Sequence, residues 1–315
     1  TEDLIKRGFD PQADSIDMLL IFPPTSVSSR YGKADLGDLG GDLIPLGIAS
    51  IAAFLREKGY GVGVLDCCAL GLTDEEIIAV LDDKKPRIIG VSSTTYALPS
   101  ALELAKKIRN SLPNQLIVLG GSHANVAGRE TIDEYSVFDL VAVGSDGEYT
   151  TLEIVKAYAK CNYSRSEFIE NHELLSTIDG IFYEQGGVTV QSNPRATTKN
   201  LDELPFPARD LFPVERYIPL PNQYKKLPLT NMVVIRGCPY VCTFCDQAGT
   251  GARTRSPGRA VDEIKHCVEK FGVKEISFWD DTMSYNKKWM REFCELLIEA
   301  QLDVIWSCYA AVNTV

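Results

Sequence analysis

The sequence predicts an α/β fold: a doubly wound parallel sheet over residues 1–160, a hairpin and proline-rich linker over 161–230, and the first half of an α/β barrel over 231–315. Three observations carry this expectation. Short apolar runs alternate with helical-period segments through the first 160 residues, prolines and a Gly-Gly turn interrupt the pattern, and the alternation resumes at Met232.

The first strand is the apolar run Asp17 to Phe22, ended by Pro23 and Pro24. A helix follows from Leu46 to Lys58, where Gly59 stops it. The order then repeats: strand Gly61 to Leu65, helix Asp74 to Leu81 with Thr73 as its cap, strand Arg87 to Ser92, helix Ser100 to Arg109. Strand Gln115 to Leu119, a helix around Arg129 to Tyr135, strand Leu140 to Val143 and helix Thr150 to Lys160 complete the half. Strands that alternate with helices in this way pair in parallel and carry helices on both faces. In the middle segment, Ile178 to Tyr183 and Val188 to Gln191 read as a hairpin joined through Gly186 and Gly187. The stretch from Pro205 to Pro228 is too rich in proline for a helix or a central strand. Strand Met232 to Ile235, helix Pro257 to Phe271, strand Glu275 to Phe278, helix Lys287 to Ala300 and strand Asp303 to Trp306 give the barrel half.

Ligands of doubly wound sheets gather at the carboxyl ends of the strands. There the sequence places Ser93, Thr94 and Thr95 after the third strand, Gly120, Gly121, Ser122 and His123 after the fourth, and Gly144 through Glu148 after the fifth. Glycines permit close backbone approach and hydroxyls donate to a polar ligand. Any one of these glycines has an equally good explanation in turn geometry, and only their repetition at successive strand ends favours a ligand edge.

Acidic residues number 43 against 32 basic ones, a net charge of −11, which repels phosphate backbones over most of the surface, so no broad nucleic-acid platform is expected. The longest apolar run, Ile44 to Leu55, is broken by Pro45, Gly47 and Ser50 and is too short for a bilayer. No charged segment with a following apolar core opens the chain, and its nine cysteines are an odd number, which favours reduced thiols or metal ligands and a cytoplasmic protein. The start at Thr1 and the end at Val315, straight after an apolar run, read as the edges of a truncated piece.

Cys238, Cys242 and Cys245 put three thiols in an eight-residue loop after a strand. Thiolates are soft donors for iron–sulfur clusters or zinc. Structural zinc wants a fourth ligand, and none is near: His266 and Cys267 fall on a predicted helix, and Cys294 and Cys308 lie far along the chain. Cys67, Cys68, Cys161, Cys267, Cys294 and Cys308 read as structural thiols, since free cysteine is among the most buried residue types. The loop trio reads as a metal site.

With Phe244 as the aromatic before the last cysteine, this loop matches the CxxxCxΦC signature, and the chain resembles the radical S-adenosylmethionine superfamily. The resemblance implies a [4Fe-4S] cluster on Cys238, Cys242 and Cys245, with one iron open to the amino and carboxylate groups of S-adenosylmethionine. It further implies cleavage of that sulfonium to a 5′-deoxyadenosyl radical, fed by an electron donor such as flavodoxin or ferredoxin. Tyr240 and Phe244 would lie at the cofactor, and Asp280 and Asp281, closing the second barrel strand, would hold its methionine end or the substrate. The two aspartates serve equally well as a helix-capping pair before Lys287, and Arg253, Arg255 and Arg259 as a solvated basic turn.

Residues 16–160 look like the cobalamin-binding, Rossmann-like domain that precedes the radical domain in the class B branch of that superfamily. Its Asp-x-His-x-x-Gly pattern survives as Asp42 and Gly47, with Ile44 in the place of the histidine that would ligate cobalt. The resemblance therefore implies cobalamin without a histidine lower ligand, held along the edge by Ser92, Ser93, Thr94, Gly120 and Gly121. His123 reads as a satisfied loop histidine rather than a cobalt ligand. The family's barrel has more strands than the three read here.

The first expectation for function is a cobalamin-dependent methyltransferase acting on an unactivated carbon or phosphorus of a small-molecule or natural-product substrate through methylcobalamin. The second keeps both cofactors for a radical cyclisation, oxidation or rearrangement. A third, of another class, is a non-catalytic cobalamin- or metal-binding module with zinc on its three thiols.

Overall fold

The computed structural model describes residues 2–25 and 41–314. They fall into two compact units, the first built from residues 2–25, 47–197 and 207–213, the second from 41–46, 198–206 and 214–314.

The first unit is centred on strands β1 (Met18–Phe22), β2 (Val62–Asp66), β3 (Ile88–Ser92), β4 (Leu116–Gly120) and β5 (Leu140–Ala142), parallel and in the order β2-β1-β3-β4-β5. All five residues of β2 are buried, as are the first four of β1, β3 and β4. Unbroken burial is what a parallel sheet covered on both faces requires, and it explains why these strands read as apolar runs rather than as alternation. The strand order reverses beside β1 and β3, which makes the carboxyl ends there the expected ligand crevice. After helix α1 (Glu2–Arg7), the connections are helices α2 (Leu46–Glu57), α3 (Cys67–Leu70), α4 (Asp74–Lys84), α5 (Leu98–Ser111), α6 (Ser122–Glu134) and α7 (Gly147–Lys160).

Thr73 caps α4 as expected and closes a capping box: its hydroxyl accepts from Glu76 N at 3.3 Å, and Glu76 Oε2 accepts from Thr73 N at 2.9 Å. Thr73→Ala is expected to cost about 1 kcal/mol, measured as a shift in the denaturation midpoint.

Two elements depart from expectation. Helix α6 starts at Ser122, seven residues before the expected Arg129, because a break at Ala127 (φ −133°) hides its first turns from a periodicity argument. The hairpin forms as β6 (Ile181–Gln185) and β7 (Val188–Gln191), but it extends the first sheet, with β6 antiparallel to β5. Ile181, Phe182 and Tyr183 are buried by that pairing. The prolines that follow are not mere spacer: Leu211 and Phe212 are buried in this unit, and Asp210 takes a two-pronged ion pair from Arg56 at 2.7 and 3.1 Å.

In the second unit, β8 (Leu229–Met232), β11 (Glu275–Phe278) and β12 (Ile305–Ser307) form a parallel sheet in the order β12-β11-β8. Helices α8 (Arg165–Glu170) and α9 (His172–Ser176) belong to the first unit; α10 (Pro257–Phe271) and α11 (Lys287–Glu299) link the strands of the second. This is the βαβαβ order of a barrel's opening half. Ser256 caps α10, Pro257 occupies its first turn and Gly272 ends it, so its bounds match the sequence reading. The core is Met232, Val261, Ile264, Cys267, Ile276, Phe278 and Phe293.

The basic turn is not solvated. The Arg255 side chain is 7% exposed beside Glu263 and donates to Pro205 O at 3.0 Å, Arg259 stacks over Phe206 at 3.9 Å, and Arg253 donates to Thr198 O. Together they grip residues 198–206 of the same unit, and long-range partners of this kind leave no local sequence signal. Among the described residues no helix is long and apolar enough to cross a membrane, and all nine cysteines are free thiols.

Candidate functional site

Two sets of candidate residues exist, one in each unit. In the first unit, β3 and β4 end side by side and their following segments are tied together: Ser93 N donates to Gly120 O at 2.9 Å and His123 N to Ser93 O at 3.0 Å. Ser93 is wholly buried, and its hydroxyl donates to Thr94 O. Gly121 has φ +97°, and a Cβ there would stand 2.5 Å from Ser93 O and 2.7 Å from Ser93 N, so only glycine allows this close approach of the two strand ends. Ser92, Ser93, Thr94, Gly120, Gly121, Ser122 and His123 are thus one contiguous patch. The Thr94 hydroxyl is buried within it and has no partner among the described residues. A polar ligand at this edge would satisfy it.

His123 lies in the first turn of α6 rather than on a loop. Its Nδ1 is 3.2 Å from Thr95 Oγ1 and its Nε2 is 2.9 Å from Thr131 Oγ1, and burial lowers its pKa. The expectation that it is satisfied holds. Past β5, Gly144 N donates to Asn125 Oδ1 at 2.8 Å, and Glu148 is buried in the first turn of α7. Gly47 is the second residue of α2. Asp42 and Ile44 belong instead to the second unit, where Asp42 N donates to Ile218 O and Ile44 O accepts from Asn231 Nδ2 at 2.9 Å.

In the second unit the strand before the cysteines is Leu229–Met232, three residues earlier than the sequence suggests. The displacement has a direct cause. The amides of Val234 and Ile235 leave the sheet to donate to Asp280 Oδ1 at 2.8 and 2.5 Å. Ile235 and Arg236 (β9) then pair antiparallel with Arg253 and Thr254 (β10), which closes the base of the cysteine loop. Gly237, at φ +80°, begins the loop where a Cβ would meet Gly251 O at 2.1 Å. Cys238 N donates to Thr250 Oγ1 at 3.1 Å, Gly249 N to Tyr240 O at 2.8 Å and Cys245 N to Cys242 O at 3.2 Å. Cys238 is buried, Cys245 is half-buried and Cys242 is exposed; Tyr240 is half-buried, and Phe244 is 92% exposed.

All three thiols and the aromatic therefore share one loop with a fixed base. Among the described residues, no three His, Cys, Asp or Glu side chains are drawn together as a metal centre. The loop supplies donors of the right softness and an apolar, exposed tip at Phe244. The donor set fits a thiolate-held cluster.

Asp280 is 1% exposed, and burial pushes its carboxyl up to about 7 against the pull of the two amides; its Oδ2 is buried with no partner among the described residues. Asp281 is exposed, and desolvation and the charge of Asp246 raise its pKa. Neither caps the helix that follows: Asn286 does, with its side chain accepting from Lys288 N and Trp289 N. The amide clamp on Asp280 was not foreseeable from sequence. Its only trace there is an aspartate immediately after an apolar strand.

The family model described as the B12 binding domain matches residues 32–155. Residues 32–155 are thus similar to a B12-binding domain. The chain is 32% identical over 300 residues to an uncharacterized methyltransferase of Pyrococcus horikoshii, covering 94% of this chain and 60% of that one. It is 28% identical over 292 residues to the anaerobic magnesium-protoporphyrin IX monomethyl ester cyclase of Synechocystis sp., covering 91% and 54%. The chain spans about half the length of these relatives. The cobalamin-dependent S-adenosylmethionine radical enzyme OxsB, with aqua-cobalamin and S-adenosylmethionine bound, superposes with a TM-score of 0.71 at 19% identity over 92% of this chain and 38% of that one. Over the superposed residues the fold is that of the matching part of OxsB, a doubly wound parallel sheet and then a βαβαβ unit in chain order.

Proposed function

We propose that the chain is the cobalamin- and cluster-binding part of a radical S-adenosylmethionine methyltransferase acting on an unactivated carbon or phosphorus of a small molecule. The observation that carries this reading is the pinned loop of Cys238, Cys242 and Cys245 on the same chain as a B12-binding domain. The name of the Pyrococcus horikoshii relative favours methyl transfer; that of the Synechocystis relative supports cyclisation with the same cofactors as the second reading.

When bound, the cluster supplies the electron that opens the sulfonium of S-adenosylmethionine, and the corrinoid carries the methyl group. Cys238, Cys242 and Cys245 would hold the cluster, Tyr240 and Phe244 would border the nucleotide, and Asp281 is the acidic side chain exposed to receive its ammonium. Asp280 spends one oxygen on the root of the loop, which leaves Oδ2 for the cofactor. In the B12-binding domain, Thr94, Ser122 and the backbone at Gly120, Gly121 and Gly144 would border the corrinoid, with Ser92, Ser93 and Glu148 behind them. Ile44 cannot coordinate cobalt, so the lower face would carry no histidine.

The experiment uses S-adenosylmethionine deuterated in its methyl group with the full-length protein and a low-potential donor of the flavodoxin or ferredoxin type. Methyl transfer predicts label in the product. Turnover to 5′-deoxyadenosine with an unlabelled product would replace methylation by the cyclisation or oxidation reading.

A further inference from the structure

His123 and Thr131 are eight residues apart, which on an uninterrupted helix is about 12 Å of rise, far beyond the reach of an imidazole. Their side chains nevertheless meet at 2.9 Å, because α6 breaks at Ala127 and brings its second half back toward its start. Thr131 Oγ1 donates to Ala127 O at 2.5 Å, so toward His123 it can only accept, and the imidazole proton belongs on Nε2. Nδ1 then holds the lone pair, and Thr95, which opens the short turn Thr95–Ala97 after β3, donates its hydroxyl to it. A single neutral ring thus ties three pieces together: the turn after β3, the first turn of α6, and α6 beyond its break. Its one lone pair is committed to Thr95, so cobalt could be coordinated only by breaking that bond.

Thr94 sits between two anchored neighbours, Ser93 held by Gly120 and His123 backbone groups, and Thr95 held by the His123 ring. Its own hydroxyl is buried and has no partner among the described residues. Resting on the cobalamin reading above, we propose that His123 is a positioning residue: as the Nε2–H tautomer it locks the Ser93–Thr95 segment so that the Thr94 hydroxyl donates to an oxygen of the corrinoid's nucleotide tail. His123 itself touches neither cobalt nor substrate.

The test measures hydroxocobalamin binding to the full chain by equilibrium dialysis, with the electron paramagnetic resonance spectrum of the reduced Co(II) form as a second readout. Thr94→Val removes the hydroxyl at nearly constant volume, and His123→Ala removes the lock. Each is expected to weaken binding about tenfold, the worth of one hydrogen bond to a buried partner. Because both act through one contact, the double variant is expected to bind no more weakly than about the weaker single variant. The Co(II) spectrum is expected to be the same in wild type and His123→Ala. If His123→Ala does not fold, Thr95→Val cuts the same tie with the imidazole in place, and the same loss is expected.

Additive losses in the double variant, or unchanged binding in His123→Ala and Thr95→Val, overturn the inference. So does a nitrogen splitting in the wild-type spectrum that His123→Ala abolishes, since that would make the ring a cobalt ligand. A wild-type chain that binds no hydroxocobalamin overturns the cobalamin reading itself, and this inference with it.

Discussion

Cys242→Ala is expected to abolish iron loading while leaving cobalamin retention intact. After anaerobic reconstitution the unaltered protein should carry about four irons and four sulfides per chain with broad visible absorbance, and the variant only background iron. The position makes this substitution clean. Cys242 is exposed in its loop and contributes nothing to the core around Ile264 and Ile276, so its loss should change stability by no more than about 0.5 kcal/mol. A drop in iron therefore reports lost coordination, not lost folding. Cys238 would be the poorer choice, because its side chain is buried and its amide is tied to Thr250 at the loop's base. Corrinoid retention serves as the internal control, since the first unit has its own core built on Leu19, Ile89, Ile117 and Val141. Stoichiometric zinc in the unaltered protein, with no visible absorbance, would overturn the cluster assignment.

The parts of this molecule that were legible in the sequence are those specified locally. The limits of α10 could be read because Ser256, Pro257 and Gly272 each act within a turn of themselves. The parallel strands could be read because burial on both faces demands a continuous apolar run, and Met18 to Ile21 or Leu116 to Leu119 can satisfy little else. The spacing of Cys238, Cys242 and Cys245 marked the three thiols of one loop for the same reason.

What escaped was set by partners far along the chain. The hairpin at Ile181–Gln191 announced its turn but not its neighbour, because pairing with β5 is decided by where Phe182 and Tyr183 find cover. The strand before the cysteines was displaced by a carboxylate 46 residues away. Arg255 looked like a surface cation until Glu263 and the Pro205 carbonyl enclosed it. The early start of α6 was masked by its break at Ala127, and the same break makes the His123 bridge possible. At both candidate sites the sequence supplied the candidate residues, and the fold alone showed which of them hold the others in place.

Asp280→Asn should make the protein without cofactors progressively more stable than the unaltered one as pH rises from 5 to 8. The Asp280 carboxyl is pushed up to about 7 from its ordinary 3.8, chiefly by burial. The sign follows from proton counting: between these values the folded chain keeps a proton that the unfolded chain has released, so ionisation favours the unfolded state and stability falls as pH rises. Below both values the two states are equally protonated and this group contributes no slope. Above about 7 the penalty is complete, up to about 4 kcal/mol at 1.36 kcal/mol per unit. Asparagine keeps the Oδ1 acceptor for Val234 N and Ile235 N while removing the charge, so the gap between the two proteins should open above about pH 4, be part-grown at pH 5 and be complete by pH 8. Asp280→Ala distinguishes the clamp from the charge. It strands two buried amides at about 1–3 kcal/mol each, a loss present at every pH, and it frees the root of the cysteine loop. Urea denaturation of the three proteins at pH 5 and pH 8 reads both effects. Parallel behaviour of the wild type and Asp280→Asn would mean that the buried carboxylate is matched by a cation or donor absent from its surroundings as described.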